Sequence, residues 1–508
     1  MKNPGPLFAA VEVGTTGARA VVIDLDGIRI AEVRRPYRTN VSNPGWAEQD
    51  ALDWSERAVQ ALQHLPARVK RCVVGLGLTG QSPSVVPVNR RGRPVGPGLI
   101  YRDNRAVIEA ADMRRRVGAE KYHDITGHTP EAFHVGPKVL WLREHAPKIF
   151  RAANKFLQPR DVVLHRLTGQ FLTDESHANC TLFFDITSRQ WSNELFSHFE
   201  LDSDLFPDVV PSWTVVENLS AKAAAETGLQ AGIPIVIGAG DSQCVAFGAG
   251  VTERGPISEM SGASSCLNSV VDTLRRDQRI THYNHVVPDR LTTEVGVNTT
   301  GAALQWAVKQ LGFAGFEDLS RDATTGLRRL SVLAENRNPC DVAPIFLPYM
   351  GDGERDDPTI RGAFIGLSDR HDRVALAYSV IEGVALGVVS EVAVLQRAGS
   401  PLEELRVSGG GAQIAVLGRI KSHLLGRPVC HLEADASANG AALLSAQAAG
   451  FSDEVAVAVR HTLSRSKRFQ PIESLHDAML PRQRWFESAR RASALHRANG
   501  PEEETGAS

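Results

Sequence analysis

The stretch Ile233-Pro-Ile-Val-Ile-Gly-Ala-Gly-Asp-Ser-Gln243 decides how this chain folds. It opens with an apolar, largely β-branched run, which ends in small residues followed by the carboxylate of Asp241. A strand of this kind presents its terminal carboxylate at the edge of a sheet, where open α/β sheets bind ligands. The stretch therefore predicts an α/β fold with an acidic residue at a ligand-binding edge.

A second acidic residue, Glu12, ends another apolar run near the N-terminus. Gly14-Thr-Thr-Gly17 follows it, and glycine turns let backbone N–H groups approach phosphate oxygens. The same turn also occurs in ordinary β-hairpins, so the motif alone leaves both interpretations open. Two acids at strand ends, one of them beside a phosphate-type turn, favour metal-assisted phosphoryl transfer to a hydroxyl.

The composition is that of an ordinary globular protein with more than one domain. The 508 residues exceed what one hydrophobic core supports, and 43% of them are hydrophobic. A net charge of −2 gives no electrostatic reason to expect nucleic acid or an anionic membrane as a partner. No apolar run approaches the ~20 residues of a transmembrane helix, and the N-terminus lacks a secretory signal. The six cysteines lie far apart, so we expect buried free thiols in a reducing cytoplasm and no metal cluster.

The order of the predicted elements indicates two similar α/β halves. Residues 7–31 predict three strands joined by tight turns, and Asp53–Leu65 has helical periodicity. After residue 256 the theme returns, with strands predicted at Ile257–Val271 and Leu291–Val297. We therefore expect domains at 1–248 and 249–485, followed by a flexible polar tail at 486–508.

Nine short motifs resemble, in the same order, the landmarks of the FGGY family of carbohydrate kinases. The resemblance covers roughly residues 7–480 and is greatest to the xylulokinase-like branch, with glycerol kinase a more distant relative. The motifs are Glu12–Arg19, Gly45–Asp50, Thr79–Gln81, Pro137–Trp141, Arg166–Gly169, Gly238–Asp241, Gly353–Arg355, Arg361–Leu367 and Ser408–Ala412.

This resemblance implies two ribonuclease-H-like domains of the actin and hexokinase type, flanking a cleft for MgATP and a sugar or polyol. It implies that Asp241 is the catalytic base and that Glu12 acts through the metal ion, so Mg²⁺ lies near both residues. The acceptor is expected to be a ketopentose such as xylulose or ribulose, or an alditol. Family habit also suggests a homodimer.

The resemblance further implies which residues contact the nucleotide and the acceptor. For ATP they are Gly14, Thr15, Thr16, Arg19, Gly262, Ala263, Gly301, Gln305, Gly410 and Gly411. For the substrate they are Gln81, Ser82, Pro83, Asp103, Phe133, Asp241 and Ser242.

Simpler structural interpretations exist for several of these residues. Asp241 could be a helix N-cap, because Asp-Ser after a strand is common where a helix begins. The glycines at 409–411 could form only a tight connection between a strand and a helix. Arg19 could be a solvated strand residue. Only the combination of motifs favours the functional roles.

The chain departs from the family pattern at several positions. Glu12 replaces an aspartate, and Ala263 replaces a threonine of the second phosphate loop. Ser82-Pro83 stands where xylulokinases have Met-His and glycerol kinases have Arg-Glu. Phe133 replaces a tyrosine that touches glycerol, which argues against glycerol as the acceptor. Because a site built for one hydroxyl rejects analogues that lack it, the acceptor itself stays open.

These departures keep two other functional hypotheses in view. One is a catalytically weakened family member that binds sugar or nucleotide as a sensor. The other is an ATPase of the actin or heat-shock chaperone type, which shares the fold. The intact Asp241 opposes the first hypothesis, and the motifs at Gly45–Asp50 and Pro137–Trp141 oppose the second.

Overall fold

A computed structural model of the chain contains two compact units, each assembled from separate segments. Unit 1 comprises residues 1–254, 270–293 and 434–465, and unit 2 comprises 255–269, 294–433 and 466–508. The structure describes residues 5–277, 279–311, 343–351, 353–354, 357, 359–433 and 435–498.

The described residues form strands and helices that alternate along most of the chain. The strands are β1 (Leu7–Val13), β2 (Gly17–Ile23), β3 (Arg29–Pro36), β4 (Glu48–Gln49), β5 (Val73–Gly80), β6 (Val86–Val88), β7 (Gly98–Leu99), β8 (Lys155–Leu157), β9 (Leu172–Asp174), β10 (Phe184–Asp185), β11 (Gln190–Trp191), β12 (Asp208–Val210), β13 (Val215–Asn218), β14 (Pro234–Gly240), β15 (Gly255–Ser261), β16 (Ser265–Val271), β17 (Thr281–Asn284), β18 (Leu291–Val297), β19 (Ile345–Leu347), β20 (Ala363–Ile365), β21 (Leu402–Gly409), β22 (Val429–His431) and β23 (Lys467–Phe469). The α-helices are α1 (Ala51–Gln63), α2 (Ala67–Lys70), α3 (Val107–Val117), α4 (Ala119–Thr126), α5 (Val135–His145), α6 (Pro147–Ala152), α7 (Pro159–Thr168), α8 (Glu175–Asn179), α9 (Asn193–His198), α10 (Ala221–Thr227), α11 (Asp241–Gly248), α12 (Gly301–Gln310), α13 (Arg373–Arg397), α14 (Ala415–Leu425), α15 (Ala436–Ala448), α16 (Ser452–Arg465) and α17 (Glu473–Ala498).

The main sheet of unit 1 is mixed, with strand order β13-β14-β5-β1-β2-β3. Strands β14, β5 and β1 run parallel, while β1, β2 and β3 form an antiparallel meander. Every residue of β1 is buried, as expected for a strand covered on both faces. Helix α1 packs on this sheet through the fully buried Trp54, and its N-cap is Asp50. The predicted opening meander is confirmed.

Unit 2 repeats the same arrangement. Five strands lie side by side in its sheet, in the order β16-β15-β21-β22-β23. Strands β15 and β16 form an antiparallel hairpin, and β15 pairs in parallel with β21, just as β1 pairs with β5. The similarity of the two halves, predicted from the order of their elements, is therefore present in the sheets. The single strand expected at Ile257–Val271 is instead two strands, because the turn at Gly262–Ser264 folds it back on itself.

Helix α13 is the one helix in the described part of the chain that is long and apolar enough to cross a membrane. Its best 18-residue window has a mean hydropathy of 1.7, and 94% of that window is buried inside the fold. An apolar segment of this length was not expected from the sequence. Burial on nearly all sides is typical of a core helix.

Unit 1 includes the distant segment 434–465 because helix α15, which belongs to this segment, packs on the main sheet of the unit. It packs on β1 and β5, and a Cβ added at Gly77 would lie 2.0 Å from the Ala441 carbonyl oxygen. Only glycine permits so close an approach of helix and strand. The sequence-based boundary after residue 248 remains a prediction.

The C-terminal segment is helical for much of the length predicted to be a flexible tail. Helix α17 continues to Ala498, so residues 486–498 belong to it, and residues 499–508 lie outside the described residues. Among the described residues, Cys72, Cys180, Cys244, Cys266 and Cys430 are not joined in disulfide bonds. Cys340 also lies outside the described residues.

Candidate active site

The acids at 12 and 241 lie at the same end of one sheet. Strands β1 and β14 flank β5, and Thr79 of β5 pairs with Glu12 on one side and with Ala239 on the other. Neighbouring strands are about 4.8 Å apart, which sets the backbones of Glu12 and Ala239 about 10 Å from each other. Asp241 follows Ala239 by two residues. The carboxyl ends of these parallel strands therefore bring both acids to one edge.

Asp241 is the first residue of helix α11, and the N-cap position belongs to Gly240. Its Oδ1 accepts a hydrogen bond from the Ser242 amide at 2.8 Å, and its side chain is partly exposed. The N-cap interpretation of Asp241 is therefore wrong. Asp241 stands where a side chain can face a ligand at the end of the strand.

Glu12 is held by Arg19, which faces it in the β1–β2 ladder. Arg19 Nε donates to Glu12 Oε2 at 2.5 Å, and the same guanidinium lies 2.8 Å from Oδ2 of Asp435, the N-cap of α15. Burial raises the pKa of Glu12. The negative charge of Asp435 raises this pKa further, while the positive charge of Arg19 lowers it. Arg19 is only 8% exposed, so its interpretation as a solvated residue is wrong.

The turn at Gly14–Gly17 closes the β1–β2 hairpin, with the Gly14 amide donating to the Gly17 carbonyl at 3.1 Å. Its other carbonyls face the fold: Gly14 O accepts from the Tyr37 hydroxyl, and Thr15 O accepts from Gln49 Nε2 at 2.8 Å. Thr16 O accepts from the Tyr37 amide at 3.3 Å. These contacts turn the negative ends of the peptide dipoles away from the outer side of the turn, where an anion could bind.

The residues at this edge fit a magnesium ion that arrives with a nucleotide. One oxygen of Glu12 is held by Arg19, and the other, Oε1, lies 3.8 Å from the point where a Cβ on Gly14 would stand. Among the described residues no group of three or more His, Cys, Asp or Glu could hold a metal by itself. Mg²⁺ needs no such group, because one or two carboxylates suffice when phosphates and water supply the other oxygens.

The predicted acceptor pair Ser82-Pro83 follows β5 and is joined by a cis peptide bond. Ser82 Oγ donates to Gln158 Oε1 at 3.1 Å and lies 3.1 Å from Cys180 Sγ. A Cβ added at Gly240 would stand 3.8 Å from Ser82 Cβ. The structure therefore places Ser82 beside the strand end that leads to Asp241 and Ser242.

Two other predicted acceptor residues, Asp103 and Gln81, are buried and engaged by the protein itself. Asp103 is fully buried, and its Oδ2 accepts from the Ala47 amide at 2.7 Å and from Arg105 at 2.6 Å. Gln81 Nε2 donates to Gln49 Oε1 at 3.0 Å and to Gly14 O at 3.3 Å. In this structure both side chains hold loops in place, and their contact with a sugar remains a prediction.

Lys138 belongs to a predicted motif but was given no role from the sequence. Its ammonium donates to the carbonyls of Ile100 and Phe133, each at 2.7 Å, and of Pro83 at 3.3 Å. It thereby ties together the segments that carry Pro83, Asp103 and Phe133. The residue is fully buried, and burial lowers the pKa of its amine to about 7. The available signal was a lysine within the motif Pro137–Trp141, but nothing in the sequence shows that this lysine is buried.

In unit 2, the predicted second phosphate loop is the turn of the β15–β16 hairpin. The Gly262 amide donates to Ser264 O at 2.8 Å, and the Ala302 amide donates to Ala263 O at 3.1 Å. A Cβ on Gly301 would stand 2.2 Å from Gly262 O, so glycine is needed where α12 begins. Gln305 is exposed one turn further along α12.

The glycines at 409–411 contact the residue just before this loop. Gly409 pairs with Ser261 in the β15–β21 ladder, and its φ of +88° favours glycine. A Cβ on Gly411 would stand 2.1 Å from Ser261 Oγ. Unit 2 thus gathers Gly262, Ala263, Gly301, Gly410 and Gly411 at one sheet edge. Arg355 of the predicted motif Gly353–Arg355 lies outside the described residues.

A buried ion pair lies next to the sheet edge that carries the Gly262–Ser264 turn and the start of α12. Lys421 Nζ lies 2.6 and 2.7 Å from the two carboxylate oxygens of Glu259, and Ser265 Oγ donates to Glu259 Oε1 at 3.1 Å. Ser265 Oγ also lies 3.0 Å from the hydroxyl of Thr300, which precedes α12. The chain of contacts fixes the second loop relative to the start of the helix.

Comparison with known proteins decides the family. The model of the N-terminal domain of the FGGY family of carbohydrate kinases matches residues 7–248, and that of the C-terminal domain matches residues 258–449. The chain belongs to this family. FGGY proteins have two domains of the ribonuclease-H-like type, and this chain has that two-domain fold. As a carbohydrate kinase it is a phosphotransferase with an alcohol group as acceptor.

Several relatives cover most of the chain. A xylulose kinase of Staphylococcus epidermidis is 27% identical over 482 residues, which span 92% of this chain and 93% of that protein. A xylulose kinase of Escherichia coli is 27% identical over 418 residues, spanning 80% of this chain and 82% of that protein. The crystal structure of xylulose kinase from Rhodospirillum rubrum superimposes with a TM-score of 0.85 at 28% identity, covering 97% of this chain and 99% of that one.

Proposed function

We propose that this FGGY kinase transfers the γ-phosphate of ATP, with Mg²⁺, to a hydroxyl of a small sugar or polyol. The observation that carries the proposal is the placement of Glu12 and Asp241 at adjoining ends of the parallel strands β1, β5 and β14, beside the Gly14–Gly17 turn. An acid for the acceptor and an acid for the metal at one edge is the arrangement that metal-assisted phosphoryl transfer requires.

In this proposal Asp241 accepts the proton of the attacking hydroxyl. Phosphoryl transfer passes through a loose transition state in which positioning and electrostatics matter more than strong basicity. An aspartate at the start of a helix is therefore adequate, because the proton leaves late in the transfer. Ser242 and Ser82 flank Asp241 and would orient the acceptor.

Glu12 would face the magnesium ion, which neutralises charge on the β- and γ-phosphates when it is bound with ATP. Arg19 was predicted to contact phosphate directly. Because its guanidinium pairs with Glu12 and Asp435, we propose that it fixes Glu12 and adds positive charge to the phosphate site from there. Thr15 and Thr16 would donate their hydroxyls on the outer side of the turn.

The nucleotide contacts in unit 2 follow the same logic. The turn at Gly262–Ser264 and the start of α12 at Gly301 offer backbone N–H groups for phosphate. Gln305 and the Gly410–Gly411 turn would contact the adenosine. The close approaches of Gly301 to Gly262 O and of Gly411 to Ser261 Oγ hold these segments together at one sheet edge.

For the acceptor, we propose a ketopentose, xylulose or ribulose, ahead of an alditol. Xylulose kinases of Staphylococcus epidermidis and Escherichia coli are among the relatives that cover most of the chain, and a glycerol kinase of Janthinobacterium covers 96% of it. Pro83 offers no side-chain hydrogen bond. We therefore expect this chain to recognise a different pattern of hydroxyls on its acceptor from the pattern that xylulose kinases recognise. We place the enzyme in the cytoplasm, and a homodimer is the assembly that family habit suggests.

The test is to incubate the protein with MgATP and a panel of pentuloses, hexuloses and alditols while following ADP release. The proposal predicts acceptor-dependent ADP formation and a phosphorylated product with at least one ketopentose or alditol. Calorimetric sugar binding with no product would instead identify a sensor. ATP turnover that ignores every acceptor would identify an ATPase, and either result would contradict the proposal.

A further inference from the structure

A buried network stands behind the strand that leads to Asp241, and none of its members was given a role from the sequence. Its centre is Asp174, which is fully buried at the end of β9. Its Oδ1 accepts from Arg160 at 2.7 Å and from His177 Nδ1 at 2.6 Å. Its Oδ2 accepts from the Ser176 amide at 2.9 Å, the Ser176 hydroxyl at 2.6 Å and the Ser212 hydroxyl at 2.8 Å.

Three of the residues that donate to Asp174 also form hydrogen bonds with the backbone of the last residues of β14. Arg160 donates from its second terminal nitrogen to Ile237 O at 2.7 Å. Ser212 accepts the Gly238 amide on its backbone carbonyl at 3.0 Å. Ser176 Oγ accepts the Gly240 amide at 3.0 Å. A single carboxylate thus fixes, through three neighbours, the backbone immediately before the proposed base.

This segment of β14 needs such support because it is irregular. The β14–β5 register shifts between Val236 and Ala239, and Gly238 has a φ of +69°. A Cβ at Gly238 would stand 1.7 Å from Leu78 O, so at this point β14 lies so close to the neighbouring strand β5 that only glycine fits. A bulge re-aims the residues that follow it, and here those residues lead into Asp241.

The charge on Asp174 is stable in this setting. Burial alone would raise its pKa, but the positive charge of Arg160 and the hydrogen bonds from His177 and Ser176 hold the pKa well below its ordinary value. Charge-assisted hydrogen bonds of this kind are roughly twice as strong as neutral ones. The carboxylate of Asp174 is therefore ionised near neutral pH.

We propose that Asp174 and Ser176 are positioning residues for the catalytic base, acting through the Gly240 amide to set the direction of Asp241. The inference rests on the proposed role of Asp241. Helix α11 has no side-chain N-cap of its own to fix its first residue. The orientation of the Asp241 carboxylate is therefore set by the buried residues Asp174 of β9 and Ser176 of α8.

The chain offers a matched pair of variants for the test, Ser176→Ala and Ser212→Ala. Each removes one hydroxyl that donates to Asp174 Oδ2, but only the Ser176 hydroxyl also holds the strand before Asp241. We expect Ser176→Ala to lower kcat about 5- to 10-fold, with the KM values for acceptor and ATP within about twofold of wild type. Ser212→Ala should lower kcat by about twofold at most, with a similar change in melting temperature. Equal kcat losses in the two variants would overturn the inference.

A double variant shows whether the effect passes through the base. In an Asp241→Asn background, adding Ser176→Ala should cause no further loss of kcat, because the group being positioned no longer works as a base. Full additivity would contradict the inference. Ser176→Cys is the second variant if Ser176→Ala melts too low: it keeps the volume with a weaker partner, and its kcat should lie between those of wild type and Ser176→Ala.

Amide exchange tests the positioning without any acceptor. Deuterium uptake by a peptide spanning residues 237–244 should be faster in Ser176→Ala than in wild type or Ser212→Ala. Unchanged uptake would overturn the inference even if no sugar in the panel is phosphorylated. Failure of wild-type turnover on the panel, by contrast, bears on the proposed function alone.

Discussion

Arg19 joins two carboxylates of unit 1: its guanidinium contacts Glu12, which faces it in the β1–β2 ladder, and lies 2.8 Å from Oδ2 of Asp435 at the start of α15. The longer side chain of Glu12, compared with the family's aspartate, therefore does not swing freely. One of its oxygens is held and the other is left toward the Gly14–Gly17 turn. This is how the chain accommodates a glutamate at the position that we propose faces the metal ion.

Removing the charge of Glu12 should impair catalysis while the fold is retained. In Glu12→Gln, Arg19 keeps Asp435 as its partner, so we expect a small change in melting temperature. The kcat should fall about 10- to 100-fold, the effect of losing a charged interaction at the metal side. Steady-state kinetics at several Mg²⁺ concentrations would also show a higher Mg²⁺ requirement.

The control for Glu12→Gln is Glu32→Gln, which removes another carboxylate near Arg19 on the same sheet, lying 3.9 Å from that guanidinium. It should leave kcat and the Mg²⁺ requirement near wild type. Equal effects of the two variants would show that only the total charge around Arg19 matters, and would refute a specific role for Glu12.

Restoring the family's threonine in the second phosphate loop should strengthen ATP binding. Ala263 is exposed, so a threonine side chain fits there without displacing the Ala263 carbonyl from the Ala302 amide. One added hydrogen bond is worth about 1 kcal/mol, so Ala263→Thr should lower the KM for ATP about fivefold and leave the KM for the acceptor unchanged. Ala263→Val, which has the same shape without the hydroxyl, is the control. If valine has the same effect as threonine, the hydroxyl is not the cause.

Lys138 should make stability depend on alkaline pH. Its pKa is lowered from 10.5 to about 7 in the folded state, so between these values the unfolded chain binds a proton that the folded chain does not. The free energy of unfolding must then rise with pH across this window. Denaturant titrations of wild type and Lys138→Met should show that wild type gains stability relative to the variant from pH 7 to pH 10. A difference that is constant with pH would contradict the assigned pKa.

The sequence predicts most of the sheet framework, because its signals there are local. Glu12 and Asp241 follow uninterrupted apolar runs, and the glycine turns mark the hairpins of both units. The carboxyl ends of parallel strands necessarily meet at one edge, so the convergence of the two acids could be expected once the strands were assigned.

What the sequence did not reveal depends on contacts between distant segments. Asp435 approaches Arg19 only because α15 returns to pack on β1 and β5. The Asp174 network reaches Arg160, Ser212 and the end of β14, and Lys138 reaches Pro83 and Ile100. Periodicity carries no information about such contacts between separate segments. The burial of Asp103 was missed for the same reason, since Ala47, 56 residues away in the chain, contacts it only in the folded state.

The most direct test of the central claim is the kcat of Asp241→Asn with the best acceptor of the panel, measured beside Ser242→Ala. Asparagine keeps the shape of the side chain and its hydrogen bond from the Ser242 amide but cannot accept the proton. If Asp241 is the base, kcat falls by about 10²- to 10⁴-fold in Asp241→Asn and by far less in Ser242→Ala. Full turnover by Asp241→Asn would contradict the mechanism.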